Sequence, residues 1–197
     1  MKNPLRCVRQ FIRSDRAVAA VEFAIIMPVL LLLFLGTFDA GNAVAIYAKV
    51  RSATYSLAAI TNQYGSSSTS AISTATMTAI TAATGAVLAP YSSTPTVVVI
   101  SQIKATSNTQ AVVSWSYSPT SGQALTQGAT FSGLPTNFAK NTCGGTYPCY
   151  VIYAQVAYTF TPMFGAFVTG PITLADSLFT APRVSTCVQY NSVPSSC

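Results

Sequence analysis

Glu22 is the one ionisable side chain set inside an otherwise apolar run, Val18 to Phe38. The other carboxylates are Asp15, Asp39 and Asp176, and histidine is absent from all 197 residues. Without imidazole, Ser-His-Asp and Cys-His catalysis and His-ligated zinc are excluded. Paired-carboxylate hydrolysis needs two acids facing one cleft, and only Asp39 and Asp176 follow the apolar run. Lys104 or Lys140 could meet a serine, but serine is so abundant here that proximity would carry no meaning. No phosphate-binding or dinucleotide-binding glycine pattern occurs. The sequence therefore predicts no enzyme, no cofactor and no small-molecule substrate.

The cysteines suggest structure rather than chemistry. Cys143, Cys149, Cys187 and Cys197 form an even set late in the chain, and Cys7 stands apart near the start. Without His or a Cys-x-x-Cys pair, no metal is expected. Two disulfides are expected if the head lies in an oxidising compartment. Three pairings are open, and short range favours Cys143 with Cys149 and Cys187 with Cys197.

The elements that position Glu22 come next. As a helix, Val18 to Phe38 is about 31 Å long, close to the ~30 Å hydrocarbon core of a bilayer. A carboxylate at the centre of such a span costs about 2.5–3.5 kcal/mol, so it needs a partner, an interfacial position or a function. Lys2, Arg6, Arg9, Arg13 and Arg16 all precede the run, offset only by Asp15. That asymmetry places the N-terminus in the cytoplasm and the rest outside. Hence the formal charge of +6 concerns topology, and no basic stripe with interleaved aromatics suggests nucleic acid. Only 7% of residues are charged, against roughly a quarter in ordinary soluble domains, which suits a Ser/Thr-surfaced extracytoplasmic head. Pro28 removes one backbone hydrogen bond inside the span and predicts a kink.

Three readings of the apolar run stay open from its composition. It could be a cleaved secretory signal, with Gly41-Asn42-Ala43 at the cut and Val44 as the new first residue. It could be a plain signal anchor, with Glu22 snorkelling to the cytoplasmic headgroups. The order of residues favours a third. A basic leader, four small or apolar residues, Glu22-Phe23, Pro28, a Leu run, then Gly36 and Asp39 resembles the TadE-like family of Tad/Flp pilus assembly, whose N-terminus is type IV pilin-like, over Ala17 to about Val50.

The resemblance implies cleavage by a prepilin peptidase between Ala17 and Val18, with Glu22 and Phe23 as processing and docking residues. It implies that Glu22 meets the new amine of Val18 on a neighbouring subunit, since a paired ammonium and carboxylate cost less in lipid than either alone. The implied function is a minor pseudopilin or assembly component of a Tad/Flp (type IVc-like) pilus or secretion system. Its partners would be prepilin peptidase, other pilin or pseudopilin subunits, the inner-membrane assembly platform and the lipid bilayer. It would sit in the inner membrane as a single-pass protein with a periplasmic head. Whether it enters the extracellular filament stays open. The alternative is a signal-anchored or secreted adhesin or carbohydrate-binding module.

The expected organisation is a basic leader (1–17), a transmembrane helix (18–38), a periplasmic extension of that helix (39–64) and an α+β head (65–197). Ala43, Ile46, Val50, Ala53, Leu57 and Ile60 recur at spacings of three and four, which predicts that the helix continues with one apolar face. A second, shorter helix is expected from Ser70 to about Val87, with Ile72, Ala75, Ala79, Ile80, Ala83 and Val87 as its face. Period-two alternation then predicts four strands, at Thr96 to Lys104, around Val113 to Tyr117, at Tyr150 to Phe160 and at Ile172 to Phe179. An antiparallel meander on the first helix is expected, with Val113, Trp115 and Tyr117 sharing one face. The Gly/Pro/Thr-rich segment from Ser118 to Cys149 is expected to be a long loop and the contact surface.

Overall fold

Residues 15–65, 71–94, 96–165 and 170–191 are described by the computed structural model, which leaves aside the side chains of 15–17. The leader up to position 14, Cys7, Ser66 to Ser68 and Cys197 lie outside the described residues. The elements are α1 (Asp15–Thr61), α2 (Thr74–Leu88), β1 (Thr96–Ala105), β2 (Ala111–Tyr117), α3 (Thr136–Cys143), β3 (Cys149–Phe160) and β4 (Ile172–Thr180).

Helix α1 has 47 residues, about 70 Å of helix, and it runs without interruption through Pro28 and through Gly41 to Ala43. Its outer half carries the expected stripe: Ile46, Val50, Ala53 and Leu57 are buried, each at most 2% exposed. Ala43 and Ile60 are half-buried at the ends of the stripe. Thr54 and Thr61 widen this face because each hydroxyl bonds back into the helix, to Val50 O at 3.0 Å and Leu57 O at 2.8 Å. A threonine satisfied in this way presents its methyl to the core at little polar cost.

The same device corrects the expectation for the second helix. It starts at Thr74, with the Ser73 hydroxyl accepting from the Thr76 N–H as its N-cap. Its buried face is Met77, Ile80, Thr81, Thr84 and Leu88, whereas Ala75, Ala79 and Ala83 face outward. The Thr81 hydroxyl bonds to Met77 O at 2.9 Å and the Thr84 hydroxyl to Thr81 O at 2.6 Å. Alanine buries little apolar area, so the larger Met and Leu with back-bonded threonines win the core side.

The sheet is antiparallel throughout, in the order β2-β1-β3-β4, which corrects the expected meander. β3 pairs with β1, not with β2. Tyr117 ends β2 beside Ile100, while Cys149 begins β3 beside Ala105, so the chain must travel back along about half of β1 and cross it. The segment 118–148 makes that crossing over the sheet face opposite α1. Leu125, Phe131 and Leu134 pack there on Ile103, Ala111 and Val113, and Phe131, Phe138, Tyr153 and Phe179 form an aromatic cluster with centroids 5.0–6.1 Å apart. The expected long loop therefore covers the second sheet face. In the structure a disulfide joins Cys143 to Cys149, with Cα atoms 5.7 Å apart, which ties α3 to the start of β3; Cys187 is disulfide-bonded as well.

A bulge makes the remaining correction. Gln102 faces Trp115 and Ile103 faces Val113 across the β1–β2 ladder, so Ser114 is the extra residue that reverses the alternation. Trp115 thus joins the core under α1, and Val113 joins the opposite cluster.

Candidate functional site

Below its packed half, α1 leaves the head. From Val18 to Phe38 only Leu35 is even half-buried, and Val21, Phe23, Ile25, Leu32 and Phe34 are each more than half exposed. The helix is long and apolar enough to cross a membrane, and among the described residues the head buries none of its most apolar stretch. A bare apolar rod of this area is a binding surface for lipid or for other helices. Near its outer end the Thr37 hydroxyl donates to Leu33 O at 2.7 Å, so it adds no unsatisfied donor there.

The predicted residues fall on this rod as follows. The Ala17–Val18 peptide bond lies within α1, and Glu22 and Phe23 are exposed on it one turn further along. They are well separated from the Cys143–Cys149 disulfide, which lies at the end of β3 away from Phe160. Pro28 lies between, within the exposed stretch.

Asp39 occupies a position the sequence did not explain. It is the first residue after the apolar run and is buried at 7% exposure. Its Oδ1 accepts from the Met163 N–H at 3.1 Å, and its Oδ2 accepts from Phe164 N–H at 2.9 Å and Gly165 N–H at 2.8 Å. Three successive backbone donors converging on one carboxylate form an anion nest, here filled by the protein's own side chain. The β3–β4 loop is thereby fixed to α1 where the rod leaves the head. The only sequence signal was an acid placed directly after the apolar stretch.

Three further polar side chains serve the packing of the head. The Arg51 guanidinium lies 5.7 Å from the Tyr55 ring centroid and in the field of Asp176. Asp176 pairs opposite Val156, four residues along β4 from Ile172 at the loop end, so it stands roughly 13 Å up the sheet from the Asp39 end. Burial pushes the Tyr153 hydroxyl above its ordinary range, against a hydrogen bond with Ser177, which leaves it a poor acid. Among the described residues no group of His, Cys, Asp or Glu could hold a metal ion.

A second buried polar cluster holds the tail. The Gln102 Oε1 accepts from Val188 N–H at 2.6 Å, and the Trp115 Nε1–H donates to Val188 O at 2.8 Å. Beside them Ile72 N–H bonds to Gln189 O at 2.8 Å and Asn191 N–H to Ile72 O at 2.9 Å. The tail so closes the core between α2 and the sheet.

Residues 17–58 match the family model described as TadE-like protein. No curated protein matches the chain, and no solved structure does. The matched stretch comprises the exposed rod, Asp39 and most of the packed stripe, so it follows α1 and stops short of the head's sheet. A TadE-like segment on an N-terminal apolar helix fits a component associated with the Tad pilus.

Proposed function

We propose that this chain is a minor pseudopilin or assembly subunit of a Tad/Flp pilus or related secretion machine, anchored by Val18 to Phe38 with its head on the periplasmic side. The observation that carries the reading is the coincidence of the TadE-like match with a rod that leaves the head uncovered and bears Glu22 on its exposed surface. Prepilin peptidase cuts the Ala17–Val18 bond, and Glu22 then receives the Val18 amine of a neighbouring subunit. That pairing offsets the cost of the lone carboxylate in lipid and sets axial register between helices. Phe23 packs beside it.

Two features support an anchor retained on the head. Cleavage after Ala43 would remove Asp39 and with it the acceptor of three loop N–H groups. The helix also continues unbroken through that site. The test is Glu22→Ala in the native host. The variant inserts in the membrane at least as well as wild type, because a charge has been removed, and piliation falls. Normal piliation would show that Glu22 plays no part in assembly.

A further inference from the structure

The β3–β4 loop has a composition and a position that the assembly reading leaves unused. Met163 is 73% exposed and Phe164 is 44% exposed. The Phe164 ring meets Phe38, the last residue of the rod, edge-on with centroids 6.1 Å apart, and Phe38 is itself 51% exposed. From Thr161 to Gly170 the sequence carries no charged residue. The exposed apolar surface of the rod therefore meets that of the loop where Phe38 touches Phe164.

The hydrogen bonding explains how a loop can stand there. A backbone N–H left unpaired at the edge of the hydrocarbon region costs several kcal/mol, which ordinarily keeps irregular backbone out of lipid. Here the N–H groups of Met163, Phe164 and Gly165 are all taken by the Asp39 carboxylate. The carboxylate is buried beneath the loop, so the surface turned outward is a thioether and an aromatic ring. Apolar and aromatic side chains, Phe among them, bury about 5–10 Å into the headgroup–acyl boundary where an interfacial element presents them.

We propose that the Met163-Phe164 tip docks into the headgroup–acyl boundary of the outer leaflet of the membrane that α1 crosses, as a second membrane contact that sets the tilt and rotation of the head. The inference rests on Val18 to Phe38 being a membrane span. The occupant is lipid because the patch is continuous with the rod and lies at its outer end, where a bilayer around residues 18–38 would have its surface.

The test uses the full-length chain in phosphatidylcholine vesicles, unbrominated or brominated near the headgroup or at mid-chain, with tryptophan fluorescence as readout. Wild type, whose sole tryptophan is Trp115 in the core at 3% exposure, sets the unquenched baseline. Phe34→Trp reports the span. Met163→Trp reports the tip, and Phe164→Trp repeats it should the first variant misfold. The span variant is quenched roughly two-fold by mid-chain bromine, and the tip variants roughly two-fold by shallow bromine, with blue-shifted emission, at every protein-to-lipid ratio. Quenching of Phe34→Trp with both tip variants unquenched and open to aqueous iodide would overturn the loop contact and leave the span intact. Tip protection that grows with protein density would overturn it in favour of a second copy. Absence of quenching at Phe34→Trp would overturn the span and the tip together.

Discussion

Gln102→Leu removes the acceptor of a buried amide and nearly preserves shape. Gln102 and Val188 are both fully buried, and the bond between them is 2.6 Å long. Losing it leaves the Val188 N–H desolvated without a partner, which costs about 1–3 kcal/mol. The second bond, from the Gln102 side-chain amide to Ser114 Oγ at 3.4 Å, is too long to add much. For a chain of this size each kcal/mol lowers Tm by about 2–4 °C, so a loss near the middle of that range shifts it by roughly 4–8 °C. Trp115→Phe removes the donor to the carbonyl of the same residue, Val188. Because both variants free one segment, the double variant falls short of the sum of the singles by about 0.5 kcal/mol or more. Calorimetry of the detergent-solubilised chain measures all three. A Gln102→Leu protein melting within about 1 °C of wild type, or strictly additive effects, would refute the claim that these two side chains hold the tail in the core.

Other perturbations probe the rest of the frame. Leu57→Ala, at the last fully buried position of the packed stripe with 1% exposure, should lose about 2–5 kcal/mol by thermal or denaturant unfolding. Replacing Cys143 and Cys149 together by serine opens a disulfide with a sequence separation of 6 and should cost about 2 kcal/mol on the loop-entropy estimate. The same unfolding assay reads it, and the Glu22→Ala variant should match wild type there while failing in piliation.

The outer stripe of α1 was legible because Ile46, Val50, Ala53 and Leu57 are apolar at helical spacing and no other element competes for that face. The strands were legible by alternation, with bounds within a residue or two of those found. The inward face of α2 was legible only in part: Ile80 and the half-buried Val87 lie on it, but Thr81 and Thr84 read as polar until their hydroxyls are seen to bond within the helix. Strand order was hidden for a different reason. Pairing of β3 with β1 is a property of the crossing segment 118–148, whose Gly, Pro and Thr content resembles a loop while its Leu125, Phe131 and Leu134 cover a sheet face. One extra residue at Ser114 was enough to separate Val113 from Trp115. At the candidate site, the rod and Glu22 could be read from composition and order, because an apolar run and a lone charge are local facts. The Asp39 nest joins positions 124 to 126 residues apart, and no local pattern encodes such a pairing.

Assembly as a pseudopilin depends first on cleavage of the Ala17–Val18 bond. Intact-mass spectrometry of the protein purified from membranes of cells with an active prepilin peptidase tests it directly. A processed subunit gives a chain beginning at Val18, and the uncleaved form when the peptidase is deleted. An intact leader in the peptidase-positive cells, or a chain beginning at Val44, would contradict that cleavage.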